Sequence, residues 1–244
     1  MTSIEIGRDE IHLWETGLAV NEEELTRISG LLSPEESRVA AGFHDANARR
    51  QYIVSRGMLR ELLARYVDTP AAGLRFETEG HGKPVLAGNR EVHFNLSHSG
   101  GLAVYAVAAS RPVGVDLEHL RPMPRAAELA RRYLSPEESS VVATAPAGLR
   151  DREFLSCWVK REAFAKALGS SVWRVLQSGR ESDLTSDVSQ ELPVVCLVDH
   201  SDAYVVAVAA SGRDWRVVLQ GVIPSSRETV TGTLRERPPP GISS

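Results

Sequence analysis

Cysteine is scarce in this chain. Cys157 and Cys196 are the only two in 244 residues, with no CxxC spacing. That excludes a disulfide scaffold and a thiolate zinc site, and it reads as free thiols in a reducing compartment. Long apolar runs are missing too: none approaches the roughly 20 residues of a membrane span. The N-terminal stretch MTSIEIGRDEIHLWETG is acidic and lacks the apolar core of a signal peptide. A soluble, cytoplasmic protein with no membrane partner is expected. A basic excess is also absent. Lys and Arg number 28 against 32 Asp and Glu, a net charge of −4. This opposes a nucleic-acid partner, though it leaves room for a local basic pocket.

What is present is an ordinary globular composition and a repeat. A chain of this length buries roughly 70–75% of its unfolded surface and needs no staple to fold. Leu32-Ser33-Pro34-Glu35-Glu36-Ser37 returns as Leu134-Ser135-Pro136-Glu137-Glu138-Ser139. Val104-Tyr105-Ala106-Val107-Ala108-Ala109-Ser110 returns, at nearly the same offset, as Val205-Val206-Ala207-Val208-Ala209-Ala210-Ser211. Ser before Pro-Glu-Glu is a good helix start that could arise twice by itself. Two matches at nearly one offset favour duplication.

Each half reads in one order. A capped helix comes first, then a longer helix at about 46–66 or 151–168, then a hairpin. The hairpins are Val92–Leu96 with Leu102–Ala109, and Val194–Val198 with Tyr204–Ala210. A further strand, Val113–Leu117, opens the second half. The expected class is α+β: a pseudo-twofold pair of similar halves, 1–111 and 112–224, with the active site in the cleft between them. Residues 225–244, rich in Pro and Ser, read as a disordered tail.

Five features carry chemistry. In Gly114-Val115-Asp116-Leu117-Glu118 the two carboxylates share one strand face. They repel unless a cation lies between them, and a hard divalent ion such as Mg²⁺ suits oxygen ligands. A solvated strand end is the bland alternative. Trp158, Glu162 and Lys166 fall on one helix face. They are either a surface ion pair or, part-buried beside Trp158, a third ligand with a phosphate clamp. Gly80-His81-Gly82-Lys83-Pro84 is a surface turn, or an edge with one ammonium laid along a nucleotide. Phe94-Asn95-Leu96-Ser97-His98-Ser99-Gly100-Gly101 is a plain hairpin tip, or one whose Ser97 and His98 donate to phosphate. Arg49, Arg56 and Arg60, with Arg50 beside them, form a solvated face or a phosphate-binding one.

The set G-K-P, N-L-S-H-S, G-V-D-L-E and W-x-x-R-E-A-x-x-K, in that order over about residues 30–170, resembles the Sfp-type 4′-phosphopantetheinyl transferases. The resemblance implies a fold of two pseudo-twofold α+β halves. It implies coenzyme A in the cleft, a carrier-protein serine attacking the β-phosphate, and release of 3′,5′-ADP. By the same resemblance Asp116, Glu118 and Glu162 hold Mg²⁺, and Glu162 is also the base. Lys166 neutralises the diphosphate, and Lys83 and Pro84 line the adenine and ribose. Ser97, His98 and Arg56 contact phosphates, with Arg50 a weaker candidate. The acceptor is an acyl or peptidyl carrier protein, tilted towards polyketide and nonribosomal peptide biosynthesis, and the enzyme is a monomer. Arg161 stands where the family has Lys, and Gly169-Ser170-Ser171-Val172 replaces a G-x-G-L turn. A non-catalytic CoA- or carrier-binding protein and a Mg²⁺-dependent phosphohydrolase are the competing readings.

Overall fold

The computed structural model describes residues 4–80, 82–177 and 192–223; the expected tail at 225–244 and His81 lie outside these. The chain opens with strand β1 (Glu10–Gly17) and helices α1 (Glu22–Ser29), α2 (Pro34–Ala41) and α3 (Ala46–Leu63). A small hairpin follows, β2 (Phe76–Glu79) with β3 (Lys83–Leu86), then β4 (Val92–Ser99), β5 (Leu102–Ala109) and β6 (Val113–His119). Next come α4 (Ala126–Tyr133), α5 (Pro136–Thr144), α6 (Arg150–Ala167) and α7 (Val172–Gln177). Strands β7 (Pro193–Ser201), β8 (Tyr204–Ser211) and β9 (Arg216–Val222) complete the described chain.

Local chemistry explains the two Ser-Pro-Glu-Glu starts. The Ser33 hydroxyl accepts from the Glu36 amide at 3.2 Å while the Glu36 carboxylate accepts from the Ser33 amide at 3.0 Å. Ser135 and Glu138 do the same at 3.2 and 2.9 Å. Each is a complete capping box, with Pro at the first helical position.

The sheets repeat one order. One runs β4-β5-β1-β9 and the other β6-β8-β7, so that β4-β5-β1 and β7-β8-β6 share hairpin-plus-first-strand topology. Strand alternation then sorts side chains into layers. Tyr105 and Val107 of β5 face α3, packing with Leu59, Leu62 and Leu63. Val104, Ala106 and Ala108 face the second sheet, meeting Val115, Leu117, Val206 and Val208. Val205, Ala207 and Ala209 of β8 turn outward under α6, against Phe154, Leu155, Val159 and Ala163. The architecture is mixed α+β, with the two sheets face to face and a long helix on each outer side.

Strand β9 was not anticipated from the sequence. It crosses back to pair in parallel with β1, so residues 216–222 of the expected second half lie in the first sheet. Arg111, at the junction, donates to the Ser211 and Arg8 carbonyls and pairs with Asp214, fixing that return. Among the described residues, no helix is long and apolar enough to cross a membrane.

Candidate active site

Strands β4 and β6 are edge strands of different sheets. Edge strands leave backbone groups to be satisfied some other way, and here alternate side chains of β4 do it. The Asn95 side-chain oxygen accepts from the Val115 amide at 2.9 Å. The Ser97 hydroxyl donates to Asp116 Oδ1 at 2.8 Å. The Ser99 hydroxyl donates to Glu118 Oε2 at 3.0 Å and accepts from the His119 amide at 3.2 Å. The polar 95-97-99 alternation in Asn-Leu-Ser-His-Ser is therefore the seam between the two sheets. Asn95 and Ser99, like Ser97, carry this seam, and their period of two along β4 is the signal in the sequence that points to them.

Gly114 brings α6 onto β6. A Cβ there would stand 2.1 Å from the Ala163 carbonyl oxygen and 2.5 Å from the Ala167 amide nitrogen. With only hydrogen at that position the helix lies directly on the strand, and Val113, Val115 and Leu117 turn into the inter-sheet core. Asp116 and Glu118 share the Gly114 face, towards α6. The α6 side chains reach back to meet them. Lys166 Nζ donates to Asp116 Oδ1 at 2.7 Å, to the Val115 carbonyl at 3.2 Å and to the Ser97 hydroxyl at 3.3 Å.

The electrostatics follow from this crowding. Asp116 is only 6% exposed. Burial pushes its carboxyl above the ordinary range, the Glu118 charge adds to that, and Lys166 and Ser97 oppose it. Glu162 is raised as well, first by burial and then by Asp116 and Glu118, with Lys166 opposing. The three acids thus feel one another across a strand and a helix distant in sequence. His98 is lowered by partial burial and by the Lys166 and Arg56 charges beside it. Arg56 lies over the Tyr52 ring at 5.7 Å and has no ion-pair partner among the described residues. Lys166 and Arg56 therefore make a cationic rim beside the acids, with the His98 imidazole next to those two charges held towards its neutral form.

Other candidates are placed differently. Arg50 donates to Glu22 Oε1 at 2.5 Å and to the Val20 carbonyl at 2.8 Å. It ties α3 to the start of α1 and is not gathered with the acids. Arg60 is buried, bonded to Glu36 and to the Ala71 and Leu74 carbonyls. Lys83 does not present its ammonium to solvent; Nζ donates at 2.8 Å to both the Val113 and the Lys166 carbonyl oxygens. Pro84 sits on β3 beside it, half-buried. The Ser97 hydroxyl is committed to Asp116 and Lys166 and not to an open phosphate position. Arg161 is bound to the capping Glu138 of α5. After Lys166 the chain closes in a Schellman turn. Gly169 is at φ +62°, its amide donates to the Lys166 carbonyl and the Ser170 amide to the Ala165 carbonyl.

The donor set Asp116, Glu118 and Glu162 is all oxygen, mutually repulsive and partly buried, which fits a hard divalent cation. Among the described residues, however, no three acid, imidazole or thiol side chains are clustered closely enough to hold a metal ion. Asp116 is engaged by Lys166, and Glu118 is paired with Arg121 at 2.7 Å.

Comparison with known proteins gives one answer. Residues 112–217 match the 4′-phosphopantetheinyl transferase superfamily model, and residues 19–111 the 4′-phosphopantetheinyl transferase N-terminal model. The chain is similar to 4′-phosphopantetheinyl transferase HetI of Nostoc sp., 33% identical over 85% of this chain and 90% of the relative. It is similar to 4′-phosphopantetheinyl transferase psf-1 of Bacillus pumilus, 31% identical over 62% of this chain and 63% of that one. It is also similar to 4′-phosphopantetheinyl transferase Sfp of Bacillus subtilis, 27% identical over 76% of this chain and 80% of that one. With both models matched in succession and HetI aligned along nearly its whole length, the chain belongs to the 4′-phosphopantetheinyl transferase superfamily and is a transferase of the phosphopantetheine group.

Proposed function

We propose that the chain transfers 4′-phosphopantetheine from coenzyme A to a serine of an acyl or peptidyl carrier protein, with Mg²⁺ at the acids and with carriers of polyketide and nonribosomal peptide assembly as acceptors. The observation that carries this is the meeting of Asp116, Glu162 and Lys166 at the seam, with Arg56 and His98 beside them. The repeated strand order supports reading the fold as two duplicated halves, about 1–111 and 112–224, with the substrate in the cleft between them.

In the reaction the serine oxygen forms a bond to the β-phosphorus. The bridging bond to the α-phosphate breaks, 3′,5′-ADP leaves, and the serine proton passes to Glu162. Such transfers depend on positioning and charge stabilisation. Asp116, Glu118 and Glu162 would hold Mg²⁺, which neutralises charge on the diphosphate when bound. Lys166 exchanges Asp116 for a diphosphate oxygen. Arg56 and His98 take further phosphate oxygens, His98 as a donor from a neutral ring. Ser97 keeps Asp116 oriented. Pro84 and the β3 backbone line the adenine side. Glu162, raised by burial and by its acidic neighbours, is poised as a base of useful strength.

The test is incubation with coenzyme A, MgCl₂ and a panel of acyl and peptidyl carriers, read by intact mass. A phosphopantetheine gain on the acceptor serine, lost on chelation with EDTA, is expected. Phosphate release from coenzyme A without acceptor would point to a hydrolase instead. Coenzyme A binding by calorimetry with no labelled carrier would point to a binding protein.

A further inference from the structure

The Lys83 ammonium is spent inside the protein, and the place where it is spent is informative. It joins three elements: its own strand β3, the first residue of β6 and the carbonyl end of α6. The last carbonyls of a helix lack intrahelical donors and face the negative end of its dipole, so a cation there is favourable. The bonded carbonyl belongs to Lys166 itself, whose side chain grips Asp116. The other belongs to Val113, next to Gly114, where helix and strand backbones touch. A second contact seats the same hairpin: a Cβ at Gly80 would stand 2.6 Å from the Gly169 carbonyl oxygen. Burial that pushes Lys83 down to about 8 agrees with an internal position.

We infer that Lys83 is a positioning residue, a staple that holds the C-terminal end of α6 on β6 and so sets Glu162 and Lys166 against Asp116. It does not act as a ligand for the nucleotide. This rests on the transferase reading for its kinetic consequence but not for its structural one. Loss of the staple frees the last turn of α6 to shift along β6. A misplacement of about 1 Å can cost on the order of a hundredfold in rate.

Lys83→Met keeps the length of the side chain and removes its donors. The full chain and the variant are compared in carrier labelling, in coenzyme A binding by calorimetry, and in amide hydrogen exchange. Expected are a kcat lowered about 10- to 100-fold, a coenzyme A Kd within about twofold, and faster exchange at the Leu168 and Gly169 amides that close α6. A Kd raised tenfold or more with kcat unchanged would make Lys83 a ligand residue and overturn the inference. So would unchanged kcat and exchange in a folded variant, or a loss of folding stability with normal kcat in the folded fraction. If wild-type protein labels no carrier, the transferase reading fails, while the exchange comparison still decides the staple.

Discussion

Replacing Gly114 by alanine tests the physical basis of the site most directly. The added Cβ would sit 2.1 Å from the Ala163 carbonyl oxygen and 2.5 Å from the Ala167 nitrogen. Both are backbone atoms in the middle of a helical ladder and cannot swing aside as a side-chain end would. Restoring ordinary contact, near 3.4 Å, requires α6 to lift from β6 by about 1 Å. Overpacking of this kind costs about 1–3 kcal/mol. For a chain of this size that lowers the thermal midpoint by about 2–12 °C. The functional loss is expected to be larger, because α6 carries Glu162 and Lys166 while β6 carries Asp116, and separating them by 1 Å can cost on the order of 100-fold in kcat. Gly148→Ala is the control. It lies in the same half and a Cβ there meets nothing within 4 Å, so both midpoint and labelling are expected to hold. The assays are carrier labelling by intact mass and thermal unfolding by circular dichroism. Gly114→Ala with wild-type kcat and midpoint would refute the argument that helix–strand contact at this glycine builds the site.

Three further outcomes are expected. Glu162→Gln removes the base and lowers kcat by about 10²–10⁴-fold; without added divalent cation it is also at least as stable as wild type at pH 7 in urea titration, because a charge raised by burial and repelled by Asp116 and Glu118 is gone. Arg60→Met leaves Glu36 and the Ala71 and Leu74 carbonyls without their buried donor, and costs about 3–5 kcal/mol in urea unfolding; labelling by the folded protein persists. For Lys83 the folded pKa, about 8, lies below the unfolded 10.5. The unfolded chain therefore binds more protons between these values, and the stability of wild type relative to Lys83→Met rises as pH goes from 8 to 10; a flat or falling difference would contradict the burial of that ammonium.

How much of this was legible in the sequence depended on whether the signal was local. The capping boxes at Ser33 and Ser135 and the tight Gly100-Gly101 turn are written in short stretches, and the structure has each where the motif stands. The long helices and the main hairpins were legible by period, with ends shifted by a few residues. Strands β1 and β9 were not. Arg216–Val222 follows a short turn at 212–215, but its partner β1 lies about 200 residues away in sequence, and the crossing from the second sheet to the first decides the pairing. Helices α1, α4 and α7 run only six to eight residues and were not anticipated either.

The same distinction runs through the site. Asp116 and Glu118 stand out by their strand period of two, and Glu162 with Lys166 by helical spacing. At Lys83 and Arg50 the sequence shows a charge but not the groups that meet it. An ammonium drawn as a free cation is, once folded, a donor claimed by Val113 and Lys166. Ser97 shows the converse. Its hydroxyl was read as reaching outwards, yet on an edge strand facing another edge strand its partner is the neighbouring strand's Asp116. The chemistry of a residue was thus readable from its type, and its direction only from which sheet edge or helix end lay opposite. Arg56 has no acid of its own among the described residues, whereas the Arg50 guanidinium is met by Glu22, at the start of α1 and 28 residues away in sequence.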